Sequence, residues 1–240
     1  VAEEAMVARD IALAELTGGR LHLAHLSTAG SVALVERAKE RGIPITAEVT
    51  PHHLVLTEDW VLGYQGASRG WLSTPLYDTS TKVNPPLRTT ADVEALRRGL
   101  KDGVIDAIAT DHAPHTHLDK LSTYDDAAFG ISGFETALAS VLSLVNGGRI
   151  ALVDLVERMT LAPARIIDHK GLGLGTLKAG AVGDVAIFDP VEEWLVDTQT
   201  FASMGKNSPI DGTKLKGRIV ATVFGGTVVF DRRGIVNNGR

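Results

Sequence analysis

The fold is indicated most clearly by residues 104–115, which read Val-Ile-Asp-Ala-Ile-Ala-Thr-Asp-His-Ala-Pro-His. Residues 104–110 are mostly apolar and predict a buried strand that runs directly into Asp111. A helix is predicted just before it, over residues 91–101, and Gly103 provides its stop signal. A buried strand that ends on a carboxylate indicates a polar site at the carboxyl end of that strand.

Two further pairs of helix and strand are predicted upstream of this stretch. The helices cover residues 3–16 and 31–41, and the strands cover residues 21–26 and 43–49. Strands that alternate with helices pair in parallel, so the fold class is α/β. Additional helices are predicted over residues 134–145 and twice within residues 151–167.

The pattern changes after Gly171, where glycines separate short runs rich in β-branched and aromatic residues. These runs cover residues 185–188, 194–197, 218–224 and 227–230. The Gly225-Gly226 pair between the last two runs predicts a two-residue hairpin. The chain is therefore expected to have an α/β domain over residues 1–171 and a small all-β region over residues 172–240.

Composition excludes several kinds of partner and site. With 24 basic and 29 acidic residues, the net charge is −5 and no basic block is present, so nucleic acid is not an expected partner. The chain has no cysteine, so a bound metal would have to rest on His, Asp or Glu. No apolar segment is long enough for a membrane span, and the first residues lack a signal-peptide pattern. We expect no membrane partner and a cytoplasmic location.

Histidines cluster at the ends of the three predicted parallel strands. Seven of the eight lie there, at positions 22, 25, 52, 53, 112, 115 and 117. In parallel α/β barrels the active site is formed at the carboxyl ends of the strands, so these side chains indicate one shared pocket. Alternation along the first strand directs His22 and His25 to opposite faces, and we favour His25 as the inward residue. A core histidine bonded to a backbone carbonyl is the alternative interpretation.

Asp111 is the strongest candidate for chemistry. A carboxylate at the mouth of a buried strand needs a metal or another cation, because burial of an unpaired charge is costly. A carboxylate that contacts a divalent metal and its water can accept that water's proton, since the metal lowers the pKa of the water toward ~7. We therefore expect Asp111 to be both ligand and proton acceptor. An N-cap or turn aspartate is the alternative.

Other polar residues are weaker candidates. Asn84 is stiffened by the two prolines that follow it and suits recognition of a substrate amide, although a turn asparagine explains it equally well. His52 and His53 are candidate ligands, with polar packing in a loop as the alternative. Lys82 and Arg88 are expected to be solvated surface charges.

Five runs of residues together resemble the bacterial class I dihydroorotases, which are members of the metal-dependent amidohydrolase superfamily. In chain order the runs are His-Leu-Ala-His-Leu-Ser-Thr (22–28), Thr-Ala-Glu-Val-Thr-Pro-His-His-Leu (46–54), Lys-Val-Asn-Pro-Pro-Leu-Arg (82–88), Ala-Thr-Asp-His-Ala-Pro-His (109–115) and Phe-Gly-Ile-Ser-Gly-Phe-Glu-Thr-Ala-Leu (129–138). The likeness covers nearly the whole chain. Relatives that open hydantoins or dihydropyrimidines differ at the Thr-Pro-His-His and Asn-Pro-Pro runs.

The resemblance implies a fold and a chemistry. Residues 1–171 would be the C-terminal part of a (β/α)8 TIM-like barrel, with its last three strands, and residues 172–240 the C-terminal part of a small β-sandwich. The activity would be the zinc-dependent, reversible cyclisation of N-carbamoyl-L-aspartate to L-dihydroorotate in pyrimidine biosynthesis. By matching position, His25 and Asp111 would bind zinc, as one or two ions, and Asp111 would be the general acid and base. The implied substrate contacts are Asn84, His115 and backbone groups of Phe129 and Gly130.

Parts of the family pattern have no counterpart in the sequence. The His-x-His pair of the first barrel strand, a substrate-binding arginine, a bridging carboxylate and one further histidine ligand are missing. Most zinc ligands are therefore expected upstream of Val1, and this chain alone is expected to be inactive. Residues 65–76 resemble an insertion near the pocket mouth, and the loop over residues 112–131 is a candidate lid.

The resemblance also bears on partners and leaves alternatives. Expected partners are a small-molecule substrate and further copies of the chain, and aspartate transcarbamoylase is a candidate partner. One alternative function is a non-catalytic subunit that scaffolds aspartate transcarbamoylase. The other is a cyclic amidohydrolase of the hydantoinase or allantoinase type.

Overall fold

Helices and short parallel strands alternate through the first part of the chain, as the apolar periodicity predicts. The structure is a computed structural model that describes residues 1–63, 75–167 and 173–234. The residues group into two compact units. The first unit comprises Val1–Ala137 with Asp197–Asp211, and the second comprises Leu138–Val196 with Gly212–Arg240. The domain boundary expected at residue 171 stays a prediction.

The described residues form eight α-helices and six strands. In chain order they are α1 (Ala2–Thr17), β1 (Leu21–Leu23), α2 (Ala29–Glu40), β2 (Ile45–Val49), α3 (Pro51–Val55), α4 (Thr90–Asp102), β3 (Ala107–Ile108), α5 (His117–Lys120), α6 (Ala137–Asn146), α7 (Leu152–Met159), α8 (Leu161–Ile167), β4 (Val185–Leu195), β5 (Lys214–Phe224) and β6 (Thr227–Asp231). Short 3-10 turns lie at Glu58–Trp60, Thr79–Thr81 and Thr198–Thr200.

The first unit contains a parallel sheet in the order β1-β2-β3, which confirms the predicted parallel pairing. β1 and β3 are shorter than predicted, with three and two residues. Beyond the regular ladder the chain still follows β2, because Leu26 N donates to the Glu48 carbonyl at 2.9 Å and Ala109 N donates to the Val49 carbonyl at 3.1 Å. The residues that follow β1 and β3 are thus held at the carboxyl end of the sheet.

Threonine side chains begin the helices that follow the strands. Thr28 Oγ1 accepts from Ser31 N at the start of α2 and so caps that helix. Thr50 caps α3 in the same way. The alternative interpretation of His52 and His53 places them in a loop, whereas the structure has them in the helix α3. Pro51 begins a helical turn instead, because a proline at the first helical position has no N–H that would need a partner.

The core of the first unit lies between the sheet and the helices α2 and α4. Its fully enclosed apolar side chains include Val35, Val49, Leu54, Leu96 and Ile105. Full burial of one such side chain stabilises a fold by about 1.5–3 kcal/mol. The packing of α2 and α4 on the sheet thus fixes the strand ends, where the polar residues lie.

The second unit contains an antiparallel sheet in the order β4-β5-β6. The predicted hairpin is confirmed, because Phe224 pairs with Thr227 and both Gly225 and Gly226 have positive φ, at 55° and 79°. The runs predicted separately at 185–188 and 194–197 belong to one strand, β4, with an irregular stretch between Asp189 and Glu193.

The eighth histidine, His169, lies outside the described residues. So does most of the segment 65–76 that resembles an insertion, of which only Pro75 and Leu76 are described. In the part of the chain that the structure describes, every helix is too short or too polar to cross a bilayer.

Candidate functional site

His25 and Asp111 follow β1 and β3 at the same end of the parallel sheet, and both have an unusual backbone. Their φ angles are 40° and 47°, a region that residues other than glycine seldom adopt. Such conformations cost free energy and often occur at functional sites. His25 lies beyond β1, so strand alternation does not decide its direction. The preference for His25 over His22 therefore cannot rest on strand alternation.

The carboxylate of Asp111 lies close enough to His25 and Glu48 for their charges to act on it. Partial burial raises the pKa of Asp111 above its ordinary value, the His25 ring opposes this rise, and Glu48 adds to it. Asp111 as a residue is exposed rather than enclosed. Its carboxylate therefore opens to solvent with a histidine as neighbour, an arrangement that leaves room for a ligand.

His22 contacts this cluster through Glu48. Its side chain is exposed, with Nε2 at 3.1 Å from the Glu48 carboxylate and Nδ1 at 2.8 Å from Thr46 Oγ1. It pairs with β2 residues on the sheet surface. His22 therefore lies within β1, whereas His25 lies beyond the carboxyl end of that strand.

His52 and His53 are buried in α3, below the strand ends. The Thr50 hydroxyl and the Pro85 carbonyl lie 2.8 Å and 2.9 Å from the two ring nitrogens of His53, which supports the packing interpretation. Burial lowers the pKa of His53 to about 4, although the hydrogen bond to Pro85 opposes this shift. Burial also lowers the pKa of His52, and its buried Nε2 has no hydrogen-bond partner within the described residues.

A buried carboxylate from α1 supports the segment after His25. Glu3 Oε1 accepts hydrogen bonds from Ser27 N at 2.9 Å and Thr28 N at 3.2 Å, and Oε2 accepts from the Ser27 hydroxyl. Arg88 donates to Ser27 Oγ at 3.0 Å and lies 3.6 Å from Glu3. The expectation that Arg88 is a solvated surface charge is wrong, because it joins this network.

Lys82 and Lys120 are two further charged residues whose burial is not predicted from the sequence. Both are only 7% exposed. Lys82 Nζ donates to the Asp125 carbonyl at 2.7 Å and lies 4.4 Å from the centre of the Phe129 ring. Lys120 Nζ donates to the carbonyls of Thr79 at 3.0 Å and Ala128 at 2.7 Å. The solvated surface position expected for Lys82 is wrong, because these acceptors compensate for its burial.

Replacing Lys120 with Met is expected to change how stability depends on pH. Burial and the neighbouring charge of Lys82 lower the pKa of Lys120 from 10.5 to about 8, while Asp78 opposes this shift. Between those two values the unfolded chain binds the proton and the folded chain releases it, so this group stabilises the fold increasingly as pH rises. Thermal unfolding between pH 7 and pH 10 should show this rise in the parent and not in Lys120→Met.

The matched control for this prediction is Lys101→Met, which removes an exposed lysine at the end of α4. Its melting curve should follow that of the parent across the same pH range. A constant difference in melting temperature between the parent and Lys120→Met would contradict the prediction.

The fold brings three predicted substrate contacts close together in space: His115, Phe129 and Gly130. His115 Nε2 lies 2.8 Å from the Phe129 carbonyl, which can only accept, so Nε2 carries a proton. When the ring is neutral, His115 therefore presents Nδ1 as an acceptor. Gly130 has a φ of 140°, and a Cβ there would lie 2.4 Å from that of Ala113. Only glycine allows these two backbone segments to approach so closely.

Asn84 is exposed at the edge of the same region. Its flanking residues Val83 and Pro85 are buried. Two residues before Asn84, the Lys82 carbonyl accepts a hydrogen bond from Gly130 N at 2.9 Å. This bond ties the backbone to residues 129–133, here called the glycine loop. The structure thus brings the segments of Asn84 and Gly130 together, while the amide of Asn84 opens to solvent.

The loop over residues 112–131 is partly ordered by its own contacts. Thr116 caps the short helix α5 through a reciprocal pair of hydrogen bonds with Asp119. His112 forms an isolated parallel bridge with Ile131, and its Nδ1 accepts from Gly133 N at 3.1 Å. These contacts anchor both ends of the loop, and its role as a lid stays a prediction.

One residue that joins these parts is missed by the sequence argument. Asn207 contacts both His115 and Gly130, although 92 positions separate it from His115. In the sequence it stands in the run Lys-Asn-Ser-Pro, which indicates only a turn. No local pattern signals a contact at such a distance along the chain.

The described donors suit a metal but do not complete a site. Imidazole nitrogen and carboxylate oxygen, as offered by His25 and Asp111, are ligands that divalent metals accept. Within residues 1–63, 75–167 and 173–234, no group of three or more His, Asp or Glu side chains is arranged to hold a metal ion. A structural or catalytic zinc needs at least three protein ligands.

Residues 1–229 match the family model for the amidohydrolases. Curated relatives include the dihydroorotase of Pelotomaculum thermopropionicum, 52% identical over 233 residues, which are 97% of this chain and 51% of the relative. The dihydroorotase of Thermoanaerobacter sp. (strain X514) is 50% identical over 232 residues, 96% of this chain and 50% of the relative. The chain thus spans about half the length of the curated relatives it matches.

Two solved structures show the same fold. The L-hydantoinase (dihydropyrimidinase) of Arthrobacter aurescens superposes with a TM-score of 0.82 at 32% identity, over 95% of this chain and 48% of that chain. The dihydropyrimidinase of Brevibacillus agri NCHU1002 superposes with a TM-score of 0.84 at 22% identity, over 95% of this chain and 48% of that chain.

Proposed function

This chain belongs to the amidohydrolase family, and we propose that it acts as a dihydroorotase in pyrimidine biosynthesis. The reaction is the reversible cyclisation of N-carbamoyl-L-aspartate to L-dihydroorotate. One observation carries the proposal: His25 and Asp111, which follow β1 and β3 at one end of the sheet, hold sparsely populated backbone conformations and interact electrostatically. The choice of dihydroorotate as the ring rests on curated dihydroorotases that are about half identical over 96–97% of the chain.

We propose His25 and Asp111 as zinc ligands, for one or two ions, with the remaining ligands supplied from outside the described residues. A bound zinc ion would polarise the scissile carbonyl and lower the pKa of water. The chemistry of the two donors fits this ion. Because two donors cannot complete a tetrahedral site, we expect the described residues alone to be inactive.

Asp111 is the residue we assign to proton transfer. In ring opening its carboxylate accepts a proton from the attacking water and returns it to the ring nitrogen as the amide bond breaks, and ring closure follows the same path in reverse. Such a shuttle needs a carboxylate that is ionised at neutral pH and accessible to water. Asp111 is exposed, although partial burial raises its pKa.

The proposed substrate contacts lie around the glycine loop. They are the Asn84 amide, the His115 ring, and the backbone of Phe129 and Gly130. An amide offers a donor and an acceptor side by side, which matches the N–H and C=O of a cyclic imide. His115 and Phe129 are already joined at 2.8 Å, so they would bind the ring as one unit.

The same proposal extends to the fold and the partners. We propose that β1, β2 and β3 are the last three strands of a (β/α)8 TIM-like barrel, and that the second unit includes the C-terminal part of a β-sandwich. The proposed location is the cytoplasm, and the proposed partners are further copies of the chain, with aspartate transcarbamoylase as a candidate.

A second candidate function is a hydantoinase-type cyclic amide hydrolase. The L-hydantoinase of Arthrobacter aurescens, at 32% identity, favours it. Both candidates use the same metal chemistry and differ in the ring. A non-catalytic scaffold has no such support, because a scaffold has no need for strained residues such as His25 and Asp111.

The test compares ring substrates on the complete protein. Hydrolysis of dihydroorotate, hydantoin, dihydrouracil and allantoin should be measured together with zinc content by mass spectrometry. Preference for dihydroorotate, with bound zinc, is expected. A preference for hydantoin would show that the proposed substrate is wrong and would favour the hydantoinase-type function. If the folded, complete protein hydrolyses none of these rings, the non-catalytic scaffold is favoured.

A further inference from the structure

Asn207 connects the two ends of the loop over residues 112–131 that carry proposed substrate contacts: residues 113–115, here called the His115 loop, and the glycine loop. His115 N donates to Asn207 Oδ1 at 2.9 Å. Asn207 Nδ2 donates to the Ala113 carbonyl at 3.0 Å and to the Gly130 carbonyl at 3.0 Å. One carboxamide therefore joins the loop that follows Asp111 to the glycine loop.

The orientation of this amide follows from its partners. His115 N can only donate, and the carbonyls of Ala113 and Gly130 can only accept. A flipped amide would place its NH2 group against the His115 N–H and its oxygen against two carbonyl oxygens. The Ser132 hydroxyl also lies 2.8 Å from Asn207 Oδ1, so both donors and both acceptor positions of the side chain are matched in a single orientation.

The packing around Asn207 restricts the movement of its side chain and backbone. Asn207 is 7% exposed, and its own carbonyl accepts from Ser132 N at 2.9 Å. A Cβ on Gly205 would lie 2.7 Å from both His115 N and Pro114 Cβ. The segment that carries Asn207 thus packs directly on the His115 loop, and a displacement of one is transmitted to the other.

We propose that Asn207 is a positioning residue for substrate binding. It sets the distance between His115 and the backbone at Gly130, so that both contact the same ring. This inference rests on the proposed function, because the two loops carry the proposed substrate contacts. Asn207 itself touches backbone groups and does not need to reach the substrate.

The test is the split between KM and kcat in variants of Asn207, measured on the complete, metal-loaded protein with dihydroorotate. Asn207→Ala removes all four side-chain contacts, and Asn207→Asp keeps the volume and the acceptor but loses both donors. We expect KM to rise by about tenfold or more in both, with a smaller fall in kcat, because the loops are misplaced while Asp111 is unchanged. Ser208→Ala is the matched control, since the buried Ser208 hydroxyl has no partner within the described residues.

A residue with a structural role alone would give a different result. It would lower the melting temperature and the amount of active enzyme while KM stays at the value of Ser208→Ala, and this outcome would overturn the inference. If Asn207→Ala does not fold, Asn207→Asp decides by the same criterion.

Amide hydrogen exchange separates this inference from the proposed function. In Asn207→Ala the amide of His115 loses its acceptor and should exchange faster, whereas in Asn207→Asp it should stay protected. If the parent does not hydrolyse dihydroorotate, the proposed function fails, and this measurement still decides whether Asn207 holds the loops. Unchanged exchange at His115 in Asn207→Ala would count against the inference.

Discussion

Replacing Asp111 with Asn is expected to lower kcat for dihydroorotate hydrolysis by about three orders of magnitude or more. The amide cannot accept the proton of the attacking water, and it is a poorer ligand for zinc than the carboxylate. Binding of substrate is expected to change less, because the proposed contacts at Asn84, His115 and Gly130 remain. Steady-state kinetics and zinc content of the complete protein provide the measurement.

The matched control for this change is Asp102→Asn, which alters an exposed carboxylate at the end of α4. We expect its kcat to equal that of the parent. Melting temperatures of both variants should lie close to the parent value, since Asp111 is exposed and its loss leaves no cavity. Retention of more than about a tenth of the parent kcat in Asp111→Asn would remove Asp111 from the role of proton shuttle.

Replacing Gly130 with Ala is expected to reduce both stability and substrate binding. The φ of 140° is unfavourable for any L side chain, and the new Cβ would lie 2.4 Å from Ala113 Cβ and 2.9 Å from the Ala113 carbonyl. Strain and overpacking together should lower the free energy of unfolding by about 2–4 kcal/mol. Relief of the clash moves the loop away from His115, so KM should also rise by about tenfold or more.

Gly133→Ala provides the control for this prediction in the same loop. A Cβ at position 133 would have only the Thr110 carbonyl nearby, at 4.0 Å, and its φ is not in the left-handed region. Its stability in urea and its KM should stay near the parent values. Equal KM values for Gly130→Ala and Gly133→Ala would show that the close approach of Gly130 to Ala113 does not shape the substrate site.

The helices and the parallel order of strands could be predicted because they depend on local patterns. The apolar spacing of α4 and the stop at Gly103 determine that helix within its own sequence, and short helical connections require parallel pairing. The Gly225-Gly226 hairpin is local in the same sense, since the turn conformation belongs to those two residues. The candidates His25 and Asp111 could be named because His25 lies near the end of one predicted strand and Asp111 directly follows another.

The environment of charged side chains could not be predicted in this way. Lys82 and Arg88 look like surface charges in the sequence, because their neighbours along the chain do not show what will pack on them. The burial of Lys82 and the partial burial of Arg88 depend on acceptors from distant segments, the Asp125 carbonyl for Lys82 and the Ser27 hydroxyl for Arg88. The periodicity of one segment contains no information about acceptors that lie in other segments.

The position of Asp111 at a strand end follows from the sequence of residues 91–111 alone. The helix, the apolar run and the carboxylate are encoded within one short stretch, so their order along the chain already determines where the charge emerges. What surrounds that charge was decided by the tertiary structure, which brings His25 to its side and uses Asn207 to join the loops of His115 and Gly130. The physical reason is that hydrogen bonds and contact electrostatics depend on distance in space, and a polar side chain 92 positions away carries no local sign of its partner.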